Sequence, residues 1–154
     1  MSTDPVLIDP RGPRFAAALT AFLLAASLVT GAWWVLAAQA LIFGIGSLRG
    51  VQHTPYAALF RRYVRPHLTP ATELEDARPP RFAQSIGLGF AVAGLFAALA
   101  GWTTLFLIAT GLALAAAFLN AAFGLCLGCE VYLLIHRARS RQTTPLNLNE
   151  EISA

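Results

Sequence analysis

Two stretches of this 154-residue chain carry no charged side chain: 34 residues from Phe15 to Leu48 and 48 residues from Phe82 to Cys129. An α-helix rises about 1.5 Å per residue, so about 20 apolar residues cross the hydrocarbon core of a bilayer. Each stretch is long enough for two crossings. Composition agrees, with 56% apolar and 12% charged residues, against about 25% charged in a soluble domain. A cleavable signal peptide does not explain the first stretch, which far exceeds an apolar region of about 7 to 15 residues, and it would leave the second unexplained. The sequence predicts an all-α integral membrane protein.

An internal repeat organises those stretches. "LIDPRGPRFA" (Leu7 to Ala16) and "LEDARPPRFA" (Leu74 to Ala83) agree at seven of ten positions, 67 residues apart, and each opens an apolar run. Such self-similarity marks a duplicated structural unit. Inside each run a glycine beside tryptophan, "TGAWW" around Gly31 and "AGWTT" around Gly101, suits a short turn at the membrane interface. The expected spans are 15–31, 33–49, 82–100 and 102–125. They form two parallel-repeated helical hairpins related by a pseudo-twofold along the membrane normal.

The arginines give the orientation. Arg11 and Arg14 precede the first span, Arg49, Arg61, Arg62, Arg65, Arg78 and Arg81 lie between the second and third, and Arg137, Arg139 and Arg141 follow the fourth. By the positive-inside rule both termini and the middle loop face the cytoplasm. The chain has no lysine and much alanine, a compositional hint of a bacterial source and hence of the inner membrane. Its net charge of +3 resides in these flanks, which argues for contact with the lipid bilayer and against nucleic acid. Arg14, Arg81, Arg61, Arg62 and Arg65 are the expected lipid or partner contacts.

The chain thus divides into an N-terminal segment (1–14), a first hairpin (15–49), an arginine-rich loop with an interfacial helix (50–81), a second hairpin (82–125), a Cys-x-x-Cys with an amphipathic helix (126–141), and a tail (142–154) expected to be disordered. In the loop, "HTPYAALFRRYVRP" suits a short helix at the headgroup surface, with Thr54 as N-cap and Pro55 first inside. By the repeat register, Gly128 and Cys129 take those places in the second amphipathic stretch.

Cys126 and Cys129 are the chain's two thiols. At a helix N-terminus, unsatisfied N–H groups and the helix dipole stabilise a thiolate. Glu130 opposes this, and arginines of the loop favour it. Gly124 and Gly128 permit close approach of another backbone. In a reducing cytoplasm the pair is expected to cycle between dithiol and disulfide or to carry a persulfide. The plainer alternative is two small apolar side chains closing a helix end. His53 aligns with Leu127 across the repeat and is expected to face the thiols. Closed tetrahedral zinc needs two further ligands, from His53, His67 and His136 alone, so no metal or cofactor is expected. Asn120 either orients a substrate or bonds a neighbouring helix, and Gln39 and Gln84 are read as interhelical bonds. The Asp9 and Asp76 clusters are expected to pair locally with their arginines.

"DPRGPRFAA", "HTPYAALFRRYVRP", "ELEDARPPRFAQ" and above all "FLNAAFGLCLGCEVYLL" resemble the bacterial membrane family known as domain of unknown function 4395. Asn120, Gly124, Cys126, Gly128 and Cys129 carry the specific block. The resemblance implies a partner among thioredoxin-like proteins or sulfurtransferases.

The function expected is that of a membrane dithiol protein exchanging electrons or sulfane sulfur with such a partner, one cysteine attacking and the other resolving. A small permease for a sulfur compound is the alternative, and assembly into a homo-oligomer would add to its sparse polar lining. A non-catalytic membrane anchor is a third reading. Whether the protein is an enzyme is left open.

Overall fold

The computed structural model describes residues 6–142; the expected disordered tail lies almost wholly outside them. The elements, in order, are β1 (Leu7–Ile8), α1 (Arg11–Thr30), α2 (Trp33–Arg49), a 3-10 turn (Val51–His53), α3 (Pro55–Leu59), a π turn (Phe60–Val64), a second 3-10 turn (Arg65–His67), β2 (Glu75–Asp76), α4 (Arg78–Leu99), α5 (Thr103–Phe123) and α6 (Leu127–Gln142).

Each copy of the repeat starts its helix with the same device. Asp9 Oδ1 accepts from the Arg11 N–H at 3.0 Å, and the Arg11 guanidinium returns to the same carboxylate at 3.0 Å. Asp76 does this with Arg78, at 2.9 Å to the N–H and 2.8 Å to Nε. Prolines in the first turn cost nothing, because N–H groups there have no helical partner. The helices therefore begin about four residues before the expected spans, taking the arginines into their first turns.

Gly31 and Gly101 turn the two hairpins with positive φ, 67° and 74°, a backbone region that other residues enter at a cost. In lipid, helices satisfy every internal backbone group, and α1, α4 and α5, of 20, 22 and 21 residues, are long and apolar enough to span a membrane. The second expected span, α2, is apolar but has 17 residues, or about 26 Å at the helical rise, against about 30 Å of hydrocarbon.

The long helices pack α1 on α5 and α2 on α4, with α4 also against α5. Leu24, Leu36, Phe43, Ala91, Ala97 and Phe106 lie in the core. Small residues let the backbones close: a Cβ on Gly94 would come within 3.0 Å of both Leu36 Cδ2 and Thr110 Oγ1. Outward, Phe22, Val29, Leu41 and Phe96 are each more than half exposed, an apolar belt suited to lipid.

The β1–β2 ladder was not foreseen from the sequence. It is antiparallel, with Leu7 opposite Asp76 and Ile8 opposite Glu75. Ile8 and Glu75 hold the same place in the two copies of the repeat, so the ladder is centred on equivalent residues. The expected interfacial helix of the loop is also different. One α-helical turn gives way to a π turn, in which the Arg65 N–H reaches Phe60 O, and Pro66 follows inside the second 3-10 turn.

Candidate functional site: a disulfide at a helix start

The second hairpin ends in a glycine cap. Gly124, at φ 70°, donates its N–H to Asn120 O at 3.0 Å, and Leu125 N–H reaches Leu119 O at 3.3 Å, a left-handed closure that needs no Cβ. The chain turns through Cys126 and α6 begins at Leu127, two residues before the start expected at Cys129. The reason is local. Cys126 occupies the cap itself, its Sγ accepting the Cys129 N–H at 3.3 Å and its carbonyl the Glu130 N–H at 3.0 Å. Sulfur here does what a serine or aspartate oxygen does at other helix starts.

Cys126 and Cys129 are joined as a disulfide, their Cα atoms 5.2 Å apart, and both are half-buried. Gly128, between them, lies against α4. A Cβ there would meet Ala83 Cβ at 2.6 Å and its Cα at 2.7 Å, so glycine alone fits. The backbone that its missing side chain admits is that of α4 in the same chain. Tyr132, one turn on, packs on Phe82 with ring centroids 5.7 Å apart.

The disulfide lies on the wall of a cavity of about 1430 Å³ bounded by all six α-helices and the loop. Of the expected site residues, Asn120, Gly124, Cys126, Gly128, Cys129, Glu130, Arg14, Arg61 and Arg65 all line it. His53 does not. Its Nδ1 sits 2.8 Å from Arg49 O, back at the end of α2, so it serves the helix that precedes it. Arg62 packs over its neighbour Tyr63. Arg81 also stays off the cavity, donating to Ser47 O and Leu48 O at 2.7 and 2.8 Å, where it satisfies the open end of α2. Arg61 gives one donor to Gln52 O at 2.6 Å.

Gln39 makes the interhelical bond expected of it, but its buried partner Tyr56, on the wall of the same cavity, was not foreseen from the sequence. Tyr56 Oη donates to Gln39 Oε1 at 2.6 Å, and Gln39 Nε2 donates to Thr20 Oγ1 at 3.2 Å, linking α3, α2 and α1. All three residues are buried. Burial pushes the Tyr56 phenol up to about 12, since a phenolate would lose its hydration; the hydroxyl is a fixed donor. The capped turn "TPY" was the available signal: Thr54 Oγ1 accepts the Ala57 N–H at 3.2 Å and aims Tyr56 inward.

The family profile described as domain of unknown function (DUF4395) matches residues 8–137. The chain belongs to that family. The match runs from Ile8 of β1 into α6 and so includes nearly all of the repeat and of the cavity lining, and the disulfide, of this DUF4395 protein. No curated protein and no solved structure matches it.

Proposed function

We propose that this DUF4395 protein is a four-span protein of the bacterial inner membrane whose Cys126–Cys129 couple exchanges electrons with a soluble thioredoxin-like protein at the cytoplasmic face. Two residues separate Thr30 from Trp33, so a chain that crosses in α1 must return along α2, short as that helix is; the bilayer can thin to meet it. Arginines flank the helix ends away from both hairpin turns, which supports cytoplasmic termini.

One observation carries the chemistry: the Cys129 N–H donates to Cys126 Sγ at the start of α6. That bond, with the positive end of the helix, favours Cys126 as the thiolate. It attacks one sulfur of a partner disulfide, whose S–S bond breaks to release a thiolate and leave a mixed disulfide. Cys129 then gives its proton to solvent and attacks the Cys126 sulfur. The second partner thiolate departs, and the protein has lost the two electrons that the partner gained. The same steps run in reverse. A sulfurtransferase persulfide is an alternative partner for the Cys126 thiolate, handing over its outer sulfur and leaving as a thiolate.

The test is asymmetric. In inverted vesicles, Cys129→Ser is expected to accumulate a thiol-reversible adduct with a thioredoxin-like protein, and Cys126→Ser is not. Absence of any adduct from both variants removes the mechanism. A membrane-impermeant maleimide that labels the reduced cysteines only in right-side-out vesicles removes the orientation.

A further inference from the structure

The repeat provides a control for what the cavity does with charge. Arg14 and Arg81 are equivalent positions, and Arg81 is committed to two backbone carbonyls at the end of α2. Arg14 approaches the corresponding end of α5, its guanidinium carbon 3.7 Å from where a Cβ on Gly124 would stand. There the Gly124 and Leu125 N–H groups take the Asn120 and Leu119 carbonyls, and Arg14 bonds none of the α5 carbonyls among the described residues. Arg14 makes no hydrogen bond or ion pair with the described residues, is exposed, and lines the cavity. Asn120, one helical turn before Gly124 and likewise without a side-chain partner among the described residues, lines the same end.

Away from that end the walls turn apolar, with Ala17, Phe90, Ala113 and Ala117 from α1, α4 and α5. The space exceeds the roughly 300–1,000 Å³ of a site for a drug-sized molecule. A cavity with apolar walls between the helices and an uncommitted guanidinium at one end matches a molecule with a long apolar body and an anionic head, because Arg binds carboxylate through paired charge-assisted bonds.

We propose that the cavity binds a long-chain carboxylate, its head held by Arg14 and Asn120 beside the disulfide and its chain running between α1, α4 and α5. This goes beyond the thiol reading and does not depend on it.

The experiment uses the full chain in phosphatidylcholine nanodiscs, with radiolabelled palmitate as probe, hexadecanol as its uncharged counterpart, and butyrate and inorganic phosphate as head-only competitors. Palmitate is expected to bind saturably and at least about 10-fold more tightly than hexadecanol, the scale of one charge-assisted recognition, with no competition from butyrate or phosphate. Arg14→Gln removes that preference and leaves hexadecanol binding unchanged. A photoactivatable palmitate crosslinks to cavity residues such as Phe90 and Ala113. Binding in the Cys126→Ser, Cys129→Ser double variant stays within about 2-fold, which separates this site from the thiol chemistry. Equal binding of acid and alcohol, which needs no variant to observe, overturns the proposal. So do effective competition by butyrate or phosphate, and crosslinks confined to the outward Phe22 and Phe96.

Discussion

The first copy of the repeat, from β1 to the second 3-10 turn, and the second, from β2 through α6, share a frame and differ in what they hang on it. In each, an aspartate caps the opening helix and grips the arginine two residues on. In each, an aromatic of that helix packs on the element after the hairpin: Phe15 on Phe60 at 5.8 Å, Phe82 on Tyr132 at 5.7 Å. That following element is where they part. In the first copy it is a broken turn whose Tyr56 reaches inward to Gln39 and Thr20. In the second it is a continuous helix of 16 residues headed by the disulfide. The difference teaches that positions held in common set the scaffold, and that the cavity between the copies is asymmetric because one wall is a hydrogen-bonded plug and the other carries the disulfide.

The seating of α6 on α4 has the least slack, so breaking it should give the largest effect. Gly128→Val puts a branched side chain where even a Cβ lies 2.7 Å from Ala83 Cα. Backbone cannot rotate aside as a side-chain tip can. The expected cost is about 3 kcal/mol, the upper end of ordinary overpacking, measured by denaturant titration in mixed micelles. The Cys126–Cys129 disulfide is expected to become readily reducible as α6 lifts away. Stability and reducibility both equal to those of the parent protein would show that the second copy does not depend on this contact.

The first copy's plug is tested by Tyr56→Phe. The ring stays and the hydroxyl goes, leaving the buried Gln39 Oε1 without its donor. An orphaned buried acceptor costs about 1–3 kcal/mol, and interhelical bonds in membranes fall at the low end, so about 1 kcal/mol is expected. The comparison sharpens if thiol reactivity toward maleimide is unchanged at the same time, since Tyr56 lies in the other copy.

How much of this was legible beforehand depends on the range of the interaction. The apolar runs, the glycine turns and the Asp-x-Arg caps are local, and the residues that make them stand next to one another in the chain. The grouping of Asn120 with Gly124, Cys126 and Cys129 is likewise a matter of one or two turns. Three features lay out of reach. The start of α6 moved because cysteine sulfur, which is seldom read as a cap, accepts the Cys129 N–H. His53 was expected across the axis but bonds the carbonyl four residues behind it, a local option that repeat alignment alone cannot weigh. The roles of Arg14 and Arg81 depend on tertiary placement, Arg81 bonding the Ser47 and Leu48 carbonyls at the end of α2 and Arg14 reaching the end of α5 without such a bond. Identical residues at equivalent positions therefore do different work.

The smallest expected effect separates the two caps themselves. The Arg11 guanidinium, and then its N–H, hold the Asp9 carboxyl below its usual 3.8, against the opposing pull of burial, and the Arg65 charge helps. A carboxyl whose value is lowered by folding stabilises the fold fully above its unfolded pKa, and loses that contribution as pH falls through the folded value. The window is therefore below about 3.8 and not near neutrality. Asp9 is the more enclosed of the pair, its side chain 13% exposed against 32% for Asp76. Arg65 adds to its surroundings from the loop. Asp9→Asn should consequently flatten the acid limb of a stability profile taken from pH 6 down to pH 3 more than Asp76→Asn does. Equal flattening by the two variants would mean that the loop contributes nothing, and that the caps are as alike in energy as they are in sequence.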